Sequence, residues 1–177
     1  MAKILAFAGS NSSTSINYQF VKYTTSFLEG HEVRLLNMAN YPFPMYSEDV
    51  ERKEGYSNSL VELKNEIQKF DGLIIAANEH NGNPSAYLKN VLDWLSRLER
   101  RFMEGKKVLL MSTSKGKRGG IGALEAVEGM LPRFGAEIVA TFSLPSYAEN
   151  FNGDDRIMEK DLLEAHNAAV SKFLSAL

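Results

Sequence analysis

The chain has 177 residues, a mass of 19.8 kDa, no cysteine and a formal net charge of -2. The lack of cysteine excludes disulfides, thiolate metal sites, cysteine nucleophiles and iron–sulfur clusters. The nearly balanced charge gives no general attraction to nucleic acid or to an acidic membrane. We therefore expect a small molecule as the partner, with no nucleic acid and no membrane.

The length fits a single domain over residues 1–177. No stretch approaches the roughly 20 apolar residues of a membrane helix. The first nine residues lack the long apolar region of a signal peptide. From these features we predict a cytoplasmic protein.

Short apolar runs alternate with segments of helical spacing along the chain. In chain order, the predicted elements are strand 3–8, helix 16–28, strand 32–36, loop 37–55, helix 60–70, strand 72–77, helix 84–101, strand 107–112, helix 120–134, strand 137–142 and helix 155–177. This alternation predicts an α/β fold in which helices cover both faces of a five-stranded parallel sheet. Five strands in so short a chain favour the three-layer flavodoxin-like order 2-1-3-4-5.

Sheets of this kind bind ligands at the carboxyl ends of the strands, where the strand order reverses. The loops at that edge follow strands one, three and four, and they comprise residues 9–17, 78–83 and 113–120. We therefore expect the functional site to lie among these three loops.

The first loop reads Gly-Ser-Asn-Ser-Ser-Thr-Ser-Ile-Asn and leads into a predicted helix. The N–H groups at a helix N-terminus favour a phosphate. The loop matches neither the P-loop nor the three-glycine dinucleotide pattern, so a terminal monophosphate is the more plausible ligand. The alternative is an ordinary polar turn with a serine cap. The candidate binding residues are Ser10, Ser12, Ser15, Ile16 and Asn17.

The second loop contains an Asn81-Gly82 turn signal. A glycine there lets the backbone pass close to a planar ligand, and its N–H groups suit the acceptor edge of a flavin ring. Pro84 is favourable at the first position of the following helix.

These loops resemble those of the NADPH-dependent FMN reductase family. Residues 9–17 are similar to its Gly-Ser-x-Arg-x-x-Ser-x-Asn loop, and residues 79–94 are similar to its Pro-Glu-Tyr-Asn stretch and Leu-Lys-Asn-x-x-Asp-Trp helix. The resemblance implies that FMN places its phosphate at Ser10, Ser15 and Asn17. It implies that the flavin ring lies along Glu79, His80, Asn81 and Gly82.

The chain departs from that family pattern at three positions. Ser12 stands where the family often has Arg, which weakens the expected grip on phosphate and any preference for NADPH. Asn78 replaces the usual Pro, and His80 replaces the usual Tyr. We expect the packing at the edge of the flavin ring to differ accordingly.

The third loop, residues 113–120, holds three glycines and three cations. The functional interpretation is a positive rim beside the flavin, with Lys115, Lys117 and Arg118 attracting the phosphates of a nicotinamide nucleotide. The alternative is a solvated charged loop. Candidate cofactor contacts in this loop are Thr113, Ser114, Gly116 and Gly119.

Other side chains receive more limited predictions. Tyr46 is predicted to cover the flavin ring or to reach a partner subunit. His31 is predicted at the surface, and His166 is predicted to face solvent or to pack between helices. Three scattered histidines do not suggest a metal site, and no Gly-x-Ser-x-Gly elbow supports a hydrolase.

The resemblance implies an NAD(P)H-dependent oxidoreductase with FMN as cofactor and NADPH or NADH as co-substrate. Hydride passes from nicotinamide to the flavin and then to a quinone, azo, metal-oxyanion or free-flavin acceptor by a ping-pong scheme, and no catalytic side chain is assigned. It also implies a homodimer or homotetramer with Asp93 and Trp94 in structural roles. Two alternatives remain open: a flavodoxin-type electron carrier, disfavoured by the weak net charge, and a flavin-free binding module.

Overall fold

The computed structural model describes residues 1–151 and 156–177. The strands are β1 (Lys3–Ala8), β2 (Glu32–Leu36), β3 (Gly72–Ala76), β4 (Glu79–His80), β5 (Asn83–Pro84), β6 (Lys107–Thr113) and β7 (Glu137–Leu144). The α-helices are α1 (Ile16–Thr25), α2 (Glu48–Glu54), α3 (Asn58–Lys69), α4 (Ala86–Leu98), α5 (Ile121–Met130), α6 (Tyr147–Asn150) and α7 (Lys160–Ser175). Short 3-10 turns occupy Met38–Asn40 and Leu131–Phe134.

Five strands form a parallel sheet in the order β2-β1-β3-β6-β7. This is the predicted 2-1-3-4-5 order once the two-residue strands β4 and β5 are set aside, so the flavodoxin-like prediction is confirmed. Every residue of β3 is buried, as expected for a central strand covered on both faces. The strand order reverses between β1 and β3.

Alternate side chains of the strands enter two apolar cores on opposite faces of the sheet. Helices α3, α4 and α5 pack against one face, where Leu63, Leu92 and Val127 are buried with strand residues such as Leu73. Helices α1 and α7 cover the other face through Phe20 and Phe173, among others. None of the helices in residues 1–151 and 156–177 is both long and apolar enough to cross a membrane.

The prediction that Pro84 opens a helix is wrong. Pro84 lies in β5 and pairs with Glu79 of β4, and α4 begins at Ala86. Ser85 caps this helix, since its side chain accepts from the N–H of Leu88. The Asn81-Gly82 turn folds the chain back on itself, which delays the start of the helix by two residues.

The structure also changes several predicted boundaries. The predicted loop 37–55 contains helix α2, which has no fully buried residue and packs against the edge of the core through Val50. The predicted helix 16–28 ends at Thr25, and the predicted helix 84–101 ends at Leu98. The final helix begins at Lys160, capped by Glu159, rather than at Asp155, which lies outside the described residues.

Candidate functional site

The three predicted loops meet at the carboxyl edge of the sheet and enclose a cavity of about 430 Å³. We call this the main cavity. Asn78, Thr14 and Lys115 line it. So do most of the predicted cofactor residues: Ser10, Ser12, Ser15, Ile16, Asn17, Glu79, His80, Thr113 and Ser114.

One end of the main cavity is built on the N-terminus of α1. Ser15 caps that helix by accepting from the N–H of Tyr18 at 3.2 Å. The N–H groups of Ile16 and Asn17 have no acceptor among the described residues. The hydroxyls of Ser10 and Ser12 line the cavity beside them. This end offers neutral donors and the positive end of a helix dipole, which suit a phosphate monoester.

Asn17 joins the first loop to the third. Its Nδ2 donates to the carbonyl of Thr113 at 3.0 Å, and its Oδ1 accepts from the N–H of Thr113 at 3.0 Å. The side chain is 3% exposed, so both of its hydrogen-bonding atoms are committed within the protein. Asn17 therefore sets the spacing of the two loops, and its amide is not free to grip a phosphate.

Strands β4 and β5 form a hairpin at the second loop. Asn81 has a φ of 55° and Gly82 has a φ of 74°, so both central residues of the turn lie in the left-handed region. This is the geometry of a two-residue type I′ turn, for which Asn-Gly is the favoured sequence. The hairpin therefore follows from the same residues that the sequence marked as a turn.

The hairpin is held against α5 by Glu79. Its Oε2 accepts from the N–H of Ala123 at 3.2 Å, and it caps a helix whose own N-cap residue, Gly120, has no side chain. A Cβ added at Gly122 would lie 2.7 Å from the carbonyl oxygen of Gly82. The Glu79 carboxylate and the absence of a side chain at Gly122 thus fix the hairpin on the helix.

Four predicted cofactor residues do not line the main cavity: Asn81, Gly82, Gly116 and Gly119. The two glycines of the third loop instead anchor it to the end of β7. The carbonyl of Gly116 accepts from the N–H of Ser146 at 2.9 Å. The carbonyl of Gly119 accepts from the hydroxyls of Ser112 and Ser143, and a Cβ at Gly119 would collide with the Ser143 Oγ.

The three cations of the third loop divide by position. Lys115 lines the main cavity, whereas Lys117 and Arg118 do not. Within residues 1–151 and 156–177, none of the three forms an ion pair with a carboxylate. Lys115 is therefore the cation placed to meet an anionic ligand in the cavity.

A second cavity of about 380 Å³ adjoins the first, and we call it the side cavity. The two cavities share Ser10, Ser12, Asn78 and His80. The residues that line the side cavity alone are Asn11, Phe43, Met45, Ser85, Ala86, Tyr87 and Asn90. None of these was named as a candidate. Asn11 lies in the predicted first loop, whereas the others belong to segment 41–47 or to α4 and its cap and join the site only through tertiary contacts.

Phe43 and Met45, rather than Tyr46, are the residues of that segment that line the side cavity. Tyr46 lines neither cavity: its hydroxyl donates to Glu51 at 2.8 Å, and its ring meets Trp94 edge-on. Met45 lines the side cavity and is 68% exposed. Trp94 is buried and donates its Nε1–H to the carbonyl of Pro44 at 2.8 Å, which agrees with its predicted structural role.

The main and side cavities together form a cleft, and few of its side chains could act as metal ligands or as proton donors. His80 is the one histidine that lines either cavity, and no three His, Asp or Glu side chains of the described residues are grouped as a metal site requires. The arrangement can hold a phosphate at one end and a planar group along the hairpin.

The profile of the family described as NADPH-dependent FMN reductase matches residues 2–149 of the chain. A quinone reductase of Escherichia coli K12 is 39% identical over 77 residues, which are 44% of this chain and 41% of that protein. The chain thus matches less than half the length of that relative. An NAD(P)H-dependent FMN reductase of Pseudomonas aeruginosa is 28% identical over 118 residues, 66% of this chain and 62% of that one.

A solved structure supports the same assignment at the level of the fold. The flavoenzyme NAD(P)H:(acceptor) oxidoreductase of Paracoccus denitrificans superimposes with a TM-score of 0.76 over 99% of both chains, at 23% identity. Since the family profile extends over most of the sequence and the fold agrees, the resemblance seen in the loops is confirmed. The chain belongs to the NADPH-dependent FMN reductase family.

Proposed function

We propose that the chain binds FMN non-covalently in the main cavity and reduces a small-molecule acceptor with electrons from NAD(P)H. The observation that carries the proposal is the cavity itself. Three loops build it at the point where the strand order reverses, and its donor-rich end lies on a helix N-terminus. The names of the relatives, quinone reductase and NAD(P)H-dependent FMN reductase, agree with this chemistry.

The residues present fit FMN at its phosphate end. The free N–H groups of Ile16 and Asn17 and the hydroxyls of Ser10 and Ser12 supply several donors without any cation in the loop. Neutral donors at a helix N-terminus suffice for a phosphate. Ser12, at the usual arginine position, supports binding through hydrogen bonds rather than through an ion pair.

The hairpin fits the flavin ring. Glu79 and His80 of β4 line the cavity. The tight turn and the contact of Glu79 with α5 hold that strand in place, so it forms a fixed edge of the cavity. Bound FMN would supply the hydride chemistry, accepting electrons from a nicotinamide and passing them to an acceptor. The chain's own task is to bind and orient the cofactor, and we assign no side chain as a general acid or base.

We further propose that the nicotinamide and the acceptor use the same open cleft in turn, which gives ping-pong kinetics. Lys115 at the cavity is the candidate contact for the nucleotide phosphates. A quinone is the first acceptor to test, because a relative of 39% identity is a quinone reductase. An NADPH azoreductase of a Bacillus species is also related, and azo compounds, metal oxyanions and free flavin complete the set.

A homodimer or homotetramer is also part of the proposal. Met45 lies exposed at the side cavity, where a second copy would shield it from water. Single exposed apolar residues are common on monomers, so the family resemblance carries most of this expectation. The cytoplasmic location stays a prediction from the sequence.

The test is an absorbance spectrum of the purified protein after incubation with FMN and desalting, repeated after anaerobic addition of NADH or NADPH. Retained flavin that bleaches with either nucleotide supports the reductase, and the faster nucleotide identifies the donor. Retained flavin that stays oxidised points to an electron carrier. A protein that retains no flavin, and is therefore colourless, supports the alternative of a flavin-free binding module.

Two variants locate the cofactor. Ser12→Asp places a negative charge beside the proposed phosphate site, and we expect it to weaken FMN binding by about tenfold or more. Ser171→Asp makes the same change on the exposed face of α7 and should leave FMN binding unchanged. Equal FMN affinity in the two variants would contradict a phosphate at the first loop.

A further inference from the structure

Asn78 follows β3 and lies between the first loop and the hairpin. It lines both the main and the side cavity, as do Ser10, Ser12 and His80. Its backbone is held in place, since its carbonyl accepts from the N–H of Ser85 at 3.0 Å. The residue is only 8% exposed, so nearly all of its polar side chain is removed from water.

The Asn78 amide lacks partners within the protein. Its Oδ1 is sealed from solvent, and no donor of the described residues lies within hydrogen-bond distance. Its Nδ2 likewise donates to none of the described residues, yet it is not among the sealed atoms. The small exposed part of the side chain therefore faces the cavities that Asn78 lines.

The other buried amides at this edge behave differently. Asn17 uses both of its polar atoms on Thr113. Asn90 donates to the carbonyl of Pro44 at 2.9 Å and accepts from the N–H of Tyr46 at 2.7 Å. Buried polar groups are nearly always paired, and an unpaired one needs an explanation. Asn78 has no structural bond that would account for an amide at its position.

A bound ligand provides that explanation, and the chemistry of the amide selects the part of the ligand. Asn78 offers one free donor and one free acceptor, and it sits between the proposed phosphate site at Ser10 and Ser12 and the proposed ring site at the hairpin. The part of FMN between its phosphate and its ring is the ribityl chain. Ribityl hydroxyls donate and accept, so they match both atoms of an amide.

We propose that Asn78 binds the ribityl hydroxyls of FMN. This inference rests on the proposed function, because it presumes FMN in the main cavity. Nδ2, which is not sealed, can donate to a ribityl hydroxyl directly, and rotation of the amide about its χ2 bond would turn the sealed Oδ1 toward the polyol as an acceptor. Asn78 is then a cofactor-binding residue of this chain, at a position where the family usually has proline.

The test compares Asn78→Leu with the wild-type protein in two measurements. The first is the melting temperature of the protein without flavin. Leucine has nearly the shape of asparagine and removes an unpaired buried group, so the melting temperature should stay equal or rise. Asn90→Leu is the matched control, since it breaks two buried hydrogen bonds and should lower the melting temperature by about 5 °C.

The second measurement is the dissociation constant for two ligands, FMN and an FMN analogue with an unsubstituted pentyl chain in place of the ribityl chain. We expect Asn78→Leu to weaken FMN binding roughly tenfold and to change binding of the pentyl analogue less than about twofold. Asn78→Ala should show the same selective loss of FMN affinity, and it tests the contact if leucine does not fit at this position.

The other possible outcomes contradict either the ribityl contact alone or the proposed function with it. Unchanged FMN affinity in both variants, or an equal loss for the two ligands, overturns the ribityl contact while the proposed function stands. A large fall in melting temperature for Asn78→Leu without selective loss of FMN assigns Asn78 a structural role instead. If the wild-type protein binds neither ligand, the proposed function and this inference fall together.

Discussion

Two regions of the molecule each hold a buried side chain with an unpaired polar atom. In the cleft the atom is Oδ1 of Asn78, and in the core between α1 and α7 it is Nδ1 of His166. Asn78 borders two cavities. His166 is fully buried, lines neither of them, and is surrounded by the rings of Phe20, Tyr23, Phe27 and Phe142 at 5.3 to 5.7 Å.

The difference lies in what can reach each side chain. A ligand in the cleft can contact the Asn78 side chain through Nδ2, which is not sealed, so its unpaired amide is consistent with the proposed ribityl contact. The aromatic rings around His166 shut out any ligand, so its unpaired nitrogen affects only the stability of the fold. The same defect in hydrogen bonding therefore has two meanings, and the neighbouring space decides between them.

The protonation state of His166 follows from its contact with Thr24. Thr24 donates its hydroxyl to the carbonyl of Phe20 at 3.0 Å, and its Oγ1 lies 2.9 Å from Nε2 of His166. Because the Thr24 hydroxyl proton is used on Phe20, we assign the proton of His166 to Nε2, which donates to Thr24. A second proton on Nδ1 would place a positive charge among apolar rings, and burial accordingly lowers the pKa of His166 from 6.5 to about 4.

The largest predicted effect is on the pH dependence of stability, and it tests the buried region around His166. Below pH 6.5 the unfolded chain takes up a proton at His166 that the folded chain refuses until about pH 4. The free energy of unfolding should therefore fall as the pH drops, by about 3 kcal/mol at pH 4 from this residue. His166→Phe removes the contribution, and denaturant unfolding at several pH values measures the difference. Parallel curves for the two proteins would show that His166 titrates in the same range folded and unfolded.

The next prediction sharpens the contrast within the cleft. Asn17→Leu is the same substitution as Asn78→Leu, but it strands the N–H and the carbonyl of Thr113 in a buried position. We expect the flavin-free protein to lose about 2 kcal/mol of unfolding free energy, measured by denaturant titration. Asn65→Leu on the exposed face of α3 is the control, with a change within about 0.5 kcal/mol. Equal stability of the Asn17 and Asn78 variants would remove the distinction between paired and unpaired amides.

Regular alternation made the sheet predictable. Each buried strand is a short apolar run, and the strand order followed from chain connectivity and right-handed crossovers. Helix α2 was not predicted because none of its residues is buried, so the segment shows no run of apolar residues at helical spacing. Its local traces are the caps Ser47 and Gly55 and the charges of its end residues. Glu48 and Asp49 begin the helix, and Arg52 and Lys53 end it.

The site was predictable as a place but not in its detail. The sequence placed Asn17 and Glu79 in loops that meet at the main cavity, and both residues line it. It could not show that Asn17 is bonded to a residue 96 positions away or that Glu79 caps a helix 44 positions away. For Asn78 the sequence offered one signal, which is that asparagine replaces the proline usual in the family. That its amide is unpaired can be seen only from the packing in the structure.

The smallest predicted effect concerns Glu79, which belongs to the cleft by position and to the scaffold by bonding. Glu79→Gln keeps an acceptor for the N–H of Ala123 but loses the charge that favours a helix N-terminus, so we expect a loss of about 0.5 kcal/mol of unfolding free energy. Glu125→Gln, on the exposed face of the same helix, is the control for charge alone. FMN affinity should change little in either variant, because the Glu79 carboxylate serves α5. If Glu79→Gln instead lowered FMN affinity and left stability unchanged, Glu79 would join Asn78 as a ligand-binding group, and pairing within the protein would no longer separate scaffold residues from binding residues.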